Sequence, residues 1–98
     1  MQRDLFDRDD SRRRLTRDEI AHATQLHPGM VLLFRMGDRY ELFDDDAVLG
    51  AKVLGLDLTG PAAHPTTGFL WTLLEGYLRK LLHLGHRVAI CDSEEKRI

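Results

Sequence analysis

The 98-residue chain has a single cysteine, Cys91, which excludes an internal disulfide and a zinc site built on cysteines. It has no apolar run approaching the length of a membrane span, and its first residues are charged. Neither a transmembrane helix nor a signal peptide is expected, so the setting is cytoplasmic and no membrane is a partner. A strong charge of one sign is also missing. The formal net charge is -2, so any binding to nucleic acid must come from a local patch rather than from the molecule as a whole. There is no glycine-rich phosphate loop and no serine in a nucleophile-elbow context. Internal repeats and low-complexity segments are absent as well. What remains is 43% hydrophobic and 31% charged, the balance of a soluble globular domain with one modest core.

The chain divides without difficulty. Residues 1–14, "MQRDLFDRDDSRRR", mix both signs with almost no apolar periodicity and are expected to be a flexible charged leader. The domain proper is expected over 15–95, followed by a polar tail at 96–98. In "LTRDEI", Thr16 and Glu19 have capping-box spacing, and Leu15 is placed to staple onto Ile20. A short helix should run to about Leu26 and stop at Pro28-Gly29. "MVLLF" is a continuous apolar run, the pattern of a strand buried on both faces.

Met36-Gly37-Asp38 should turn the chain, and "RYELF" returns as a second strand. "DDDAVLGAKVLG" begins with three carboxylates and ends at Gly55, as a helix dipole and a left-handed cap favour. "LDLT" and "FLW" are expected as short strands on either side of a loop, "GPAAHPTTG". Leu70, Leu73, Leu74, Tyr77, Leu78, Leu81 and Leu82 recur at helical spacing up to Gly85. "RVAIC" closes the chain as a buried strand. The fold class is α/β, a small mixed sheet with packed helices, with "VLLF" and "RVAIC" expected at its centre.

Few residues suggest chemistry. Asp44, Asp45 and Asp46 have the oxygen donors that magnesium takes, but carboxylates at a helix start serve first as caps. Asp38, Glu41 and Lys52 are the available set for a nuclease and have no recognisable spacing. His22, His27, His64, His83 and His86 are scattered, which argues against a metal site. Cys91, within an apolar strand, has no charged neighbour to lower its pKa and reads as a small hydrophobe. Tyr77 belongs to the leucine stripe, and Trp71 falls at the core or its rim. The basic run "RRRLTR" is offset by the neighbouring "DRDD". Nothing here points to an enzyme or a cofactor. Arg39 and Glu41, two apart on a strand, share a face while Tyr40 points the other way. Such a pair either neutralises itself at the surface or faces a ligand jointly.

The order of these pieces resembles the amino-terminal mismatch-recognition domain of the MutS family. "HPGMVLLFRMGDRYELFDDDAVLGAKVLGLDLT" is similar to the family's HP-x-x-LLF-(Y/F)-R-x-GDFYE-(L/M)-F-x-x-DA run and the strand after it. "LLEGYLRKLLHLGHRVAICDSEE" is similar to the family's AVEGYLAKL and VAICEQ segments. The resemblance implies a MutS domain I-like fold, duplex DNA as partner, mismatched or not, and a role in mismatch repair. In the family, a phenylalanine and a glutamate after the turn meet the mispaired base, the first as a wedge and the second by a hydrogen bond. The matching positions here are Arg39 and Glu41, with Asp38 beside them in the turn, so Asp38, Arg39 and Glu41 are the residues expected to meet DNA.

The departures bear on function. Arg39 replaces the wedge phenylalanine, which implies altered or lost mismatch specificity. Before the last helix, Gly68-Phe69-Leu70-Trp71-Thr72-Leu73 stands where the family has Gly-(V/I)-Pro-Tyr-His-Ala. The family's connector, lever, clamp and ATPase segments have no counterpart in these 98 residues, so a standalone binding module is expected. The alternative is a protein-interaction or regulatory domain that kept the fold without DNA recognition.

Overall fold

The computed structural model describes residues 15–92; the expected leader, with the first three arginines of "RRRLTR", and the 96–98 tail lie outside them. Helix α1 spans Arg17–Leu26. Its start is the capping box expected: the Glu19 N–H donates to Thr16 Oγ1 at 3.1 Å and the Thr16 N–H donates to Glu19 Oε1 at 2.9 Å. Strands β1 (Val31–Met36) and β2 (Arg39–Phe43) form an antiparallel hairpin in which Met36 pairs with Arg39. Its two-residue loop has positive φ at Gly37 (65°) but not at Asp38, the arrangement of a type II′ turn with glycine leading.

Helix α2 (Asp45–Leu54) ends on Gly55 in the left-handed region, as expected. Strand β3 is Thr66–Leu70, a 3-10 turn follows at Trp71–Leu73, helix α3 is Leu74–His83, and β4 is Val88–Asp92. The mixed sheet has the order β3-β2-β1-β4, with β4 parallel to β1 and the other pairs antiparallel.

Strand β1 is buried on both faces, as its apolar run requires. Val31 and Leu33 join Tyr40, Leu42, Ala47, Leu54, Phe69 and Leu81 in the larger core, beneath α2 and α3. Leu32 and Phe34 turn to the opposite face, where Ala89 and the partly buried Leu15, Ala23, Phe43 and Cys91 surround them. Helix α1 therefore covers that second face, with Leu15 at its entry.

Four expectations need correction. "RVAIC" is not central: β4 lies at one edge, and β1 with β2 forms the middle. Val88 and Ala89 are apolar because helices pack on both sides of that edge, while Ile90 stays exposed. "LDLT" is not a strand; it contributes only an isolated bridge, Thr59 to Thr66. The third strand begins at Thr66, taking in the last three residues of the expected loop, because Thr66, Thr67 and Gly68 pair with Phe43, Leu42 and Glu41. Finally, the leucine stripe is not one helix face. Leu70 belongs to β3, Leu73 to the 3-10 turn, and both are exposed together with Leu82. Leu81 is fully buried, and Leu74 and Tyr77 pack against the core.

Asp44 also departs from a simple cap. It stands before α2 at φ 58° and makes no side-chain cap bond. Its carboxylate takes the Arg17 guanidinium instead, tying α1 to the β2–α2 junction. Asp46, the second residue of α2, accepts the Leu32 N–H at 3.1 Å, a ladder position that β2 leaves open where the chain departs into α2.

Candidate functional site

Strand β2 alternates strictly. Tyr40 and Leu42 are buried, whereas Arg39 is exposed and Glu41 is partly so on the other face. Arg39 Nε donates to Glu41 Oε2 at 3.2 Å, and the side chains keep 44% and 28% of their exposure. The two groups do emerge side by side, and they are engaged with each other.

Their placement depends on a glycine in the next strand. Gly68 pairs with Glu41, and a Cβ on it would lie 2.6 Å from the Tyr40 carbonyl oxygen, 3.1 Å from Arg39 Nη2 and 3.1 Å from Glu41 Oε1. The guanidinium and the carboxylate thus rest across a bare stretch of backbone. The polar groove they border continues over Thr66, Thr59 and Asp57. Thr67, almost fully buried, fixes that wall by donating its hydroxyl to the Asp57 carbonyl. Among the described residues that line the groove, Arg39 is the single cation, alongside the acids Glu41 and Asp57.

The end of the sheet is braced from the opposite face. Arg35 pairs with Tyr40, and its guanidinium carbon lies 5.5 Å from the Tyr40 ring and 5.3 Å from the Trp71 ring, a cation held between two aromatic faces. Its Nε–H also donates to the Gly37 carbonyl. The Trp71 N–H donates to the Asp38 carbonyl at 2.8 Å. Asp38 therefore contributes through its backbone, and its exposed side chain stands at the hairpin tip. Trp71 is neither core nor an isolated rim residue: one side meets Arg35, and 49% of its surface is open.

The carboxylate run at 44–46 is distributed over different tasks. Burial pushes the Asp46 carboxyl above its usual range; the Leu32 N–H opposes this, and the neighbouring Asp45 and Asp44 charges add to the rise. Among the described residues no three His, Cys, Asp or Glu side chains converge as a metal site would need. No helix among them is long and apolar enough to cross a membrane.

Asp38, Arg39 and Glu41 are expected from the sequence to share a site, and the structure places all three at one end of the hairpin. Leu70, which pairs directly with Arg39, is hidden in the sequence by its fit to the helical leucine spacing. The sequence also does not join Arg35 to Trp71. The signal available for Leu70 was the period of two from Gly68, readable once the strand is begun at Thr66.

Comparison with known proteins gives the fold its relatives. The family described as MutS domain I matches residues 20–98. The DNA mismatch repair protein MutS of Sorangium cellulosum is 47% identical over 76 residues, covering 72% of this chain and 8% of that protein. Proteins of the same name from Azorhizobium caulinodans and Parabacteroides distasonis are each 47% identical over 74 residues, covering 70% of this chain and 8% of theirs. The matched stretch is thus a small part of those relatives, and it contains every element of the fold from inside α1 to β4. On that match the chain belongs to the MutS domain I family and is related to mismatch-repair proteins.

Proposed function

We propose that the chain is a DNA-binding module of mismatch-repair type, acting by contact and not by catalysis, and that it meets duplex DNA through the open end of the β2–β3 pair. A domain over 15–95 and a cytoplasmic setting belong to the same reading. The observation that carries it is the exposed Arg39–Glu41 pair lying over Gly68, at the positions where the family places its base-contacting residues. A guanidinium is planar and stacks on bases as well as pairing with phosphate. A carboxylate near phosphates is unfavourable unless a base donates to it, which makes Glu41 a discriminating group. With Arg39 at the wedge position, preference for a mispaired site should be weaker than a ring would give. The groove's mixed charge argues in the same direction, towards modest and salt-sensitive affinity.

The test is binding of the purified chain to labelled homoduplex, mismatched and single-stranded DNA at low and moderate salt. Duplex binding should appear at low salt and fall steeply as salt rises. Arg39→Phe should gain preference for the mismatched duplex, and Glu41→Ala should bind all three DNAs more alike. Negligible binding by all three proteins at low salt overturns the DNA reading.

A second reading, docking of a protein partner, is favoured by one observation. The outer side of α3 exposes Leu82, and Leu73 and Leu84 flank it, all about half open. Leu82 and Leu78 line a shallow groove together with Glu75, Arg79 and His83. Binding of DNA that survives Leu82→Asp would separate the two surfaces.

A further inference from the structure

We propose that Leu70 supplies the apolar wedge that Arg39 does not, entering a weakened base step of duplex DNA from the strand beside it; this rests on the DNA-binding reading above. Register is the first support. Leu70 is the cross-strand partner of Arg39, and Gly68 is that of Glu41. Residues two apart on a strand share a face. Leu70 therefore points to the same side as Gly68, over which the Arg39 and Glu41 side chains lie. Exposure is the second. Leu70 keeps 47% of its surface open, although it sits in a strand whose inward neighbours Thr67 and Phe69 are almost fully buried. Helix α1 packs on the β1–β4 half of this face, around Leu32, Phe34 and Ala89, and none of the elements among the described residues packs on the β3 edge of it.

Rigidity is the third. A wedge must hold its position while bases unstack around it, so a side chain on a braced strand end suits the task better than one on a loop. Leu70 is fixed by the ladder to Arg39 on one side and by the Trp71 N–H to Asp38 bond immediately after it. Arg35, between Tyr40 and Trp71, locks that corner from below. Leucine is among the side chains that intercalate at kinked steps. A mispaired step unstacks at lower cost than a paired one. The neighbouring Arg39 brings positive charge to the phosphates and base edges flanking the step. The occupant is duplex DNA with a mispaired or unpaired base. The division of labour is an apolar blade on β3 with a cation and an acid on β2.

The experiment uses the purified chain with two duplexes that differ only by one mismatch, each carrying 2-aminopurine beside the test position. That base brightens when it unstacks. Trp71, the only tryptophan in the chain, reports binding separately through its own emission. Wild type should bind both duplexes at low salt and brighten the probe only in the mismatched one. Leu70→Ala and Leu70→Gln should lose most of the brightening and about ten-fold in preference for the mismatch. Their homoduplex affinity should stay within about two-fold of wild type, because phosphate contacts dominate it. Leu70→Phe should brighten the probe at least as strongly as wild type.

Binding without brightening by wild type overturns the wedge and leaves the DNA reading standing. Unchanged brightening and preference in both Leu70 variants does the same. Absence of binding to either duplex overturns both. Unfolding of both Leu70 variants makes the residue a packing element and overturns the wedge.

Discussion

The two faces of β2 are built from the same five residues and behave as two different materials. On the side of α2 and α3, Tyr40 and Leu42 are sealed among Leu33, Phe69 and Leu81, with Tyr40 5.8 Å from Phe69 and Phe69 4.8 Å from Tyr77 between ring centroids. On the other side, Arg39 and Glu41 lie over a strand with no side chain at Gly68, beyond the reach of α1. The first face holds the chain together; the second leaves polar and apolar groups at a solvent-facing end. The difference lies in what covers each face, since the strand geometry is common to both. If the two faces are as separate as this, substitutions on the first should act on stability alone, and those on the second on binding with little cost in stability.

The strongest test of that separation is Leu42→Ala. Leu42 has no exposed surface, and its Cδ2 lies 3.1 Å from where a Cβ on Gly50 of α2 would be, so truncation removes the atoms on which that helix rests. Loss of about 2–5 kcal/mol is expected, read by urea or thermal unfolding. DNA affinity per folded molecule should be unaltered. A large affinity change in the folded fraction would mean that the faces are mechanically joined.

Gly68→Ala attacks the boundary between them. Its methyl would meet the Tyr40 carbonyl at 2.6 Å and both charged groups at 3.1 Å, so the strands must part or the pair must lift. Overpacking of this kind costs about 1–3 kcal/mol. Here stability and DNA binding should fall together, because the methyl acts on both faces at once. A variant as stable as wild type would show that the strand pair yields more readily than its register suggests.

Asp46 offers a pH-dependent measure of the covered side. Its carboxyl is raised above 3.8 chiefly by burial. A group whose folded pKa lies above the unfolded value adds stability below the unfolded pKa and loses that contribution as pH rises through the folded one. Ionised Asp46 is thus a burden near neutrality, compensated in part by its bond to the Leu32 N–H. Asp46→Asn keeps an acceptor for that N–H and should be at least as stable as wild type at pH 7, the difference vanishing in acid below the unfolded value. Asp46→Ala leaves the N–H without its partner and should cost about 1–3 kcal/mol.

How far the sequence led depends on how local each signal is. The local signals were legible: the apolar run of β1, the Gly37 turn, the Thr16–Glu19 box and the Gly55 stop each appear where expected. Pairing order was not. An apolar strand at an edge, such as β4, looks like a central one when helices cover it, and "TTGFL" lacks the alternation that would separate it from a loop followed by a helix. The face shared by Arg39 and Glu41 was legible from their spacing. What stands beside them was not, because Gly68 and Leu70 reach that spot only through long-range register.

The smallest effect tests the open face directly. The Arg39–Glu41 pair is substantially exposed, so its contribution to folding should be about 0.2–1 kcal/mol and should shrink as salt is added. Glu41→Gln keeps the shape of the side chain and removes its charge. The unfolding midpoint should therefore scarcely move, and the small loss should disappear at high salt. If the pair instead serves as a structural clasp on Gly68, the loss will exceed that range and persist in salt. Persistence would place Glu41 with Leu42 as a residue that holds the sheet, and the contrast between the two faces would fail at its most exposed point.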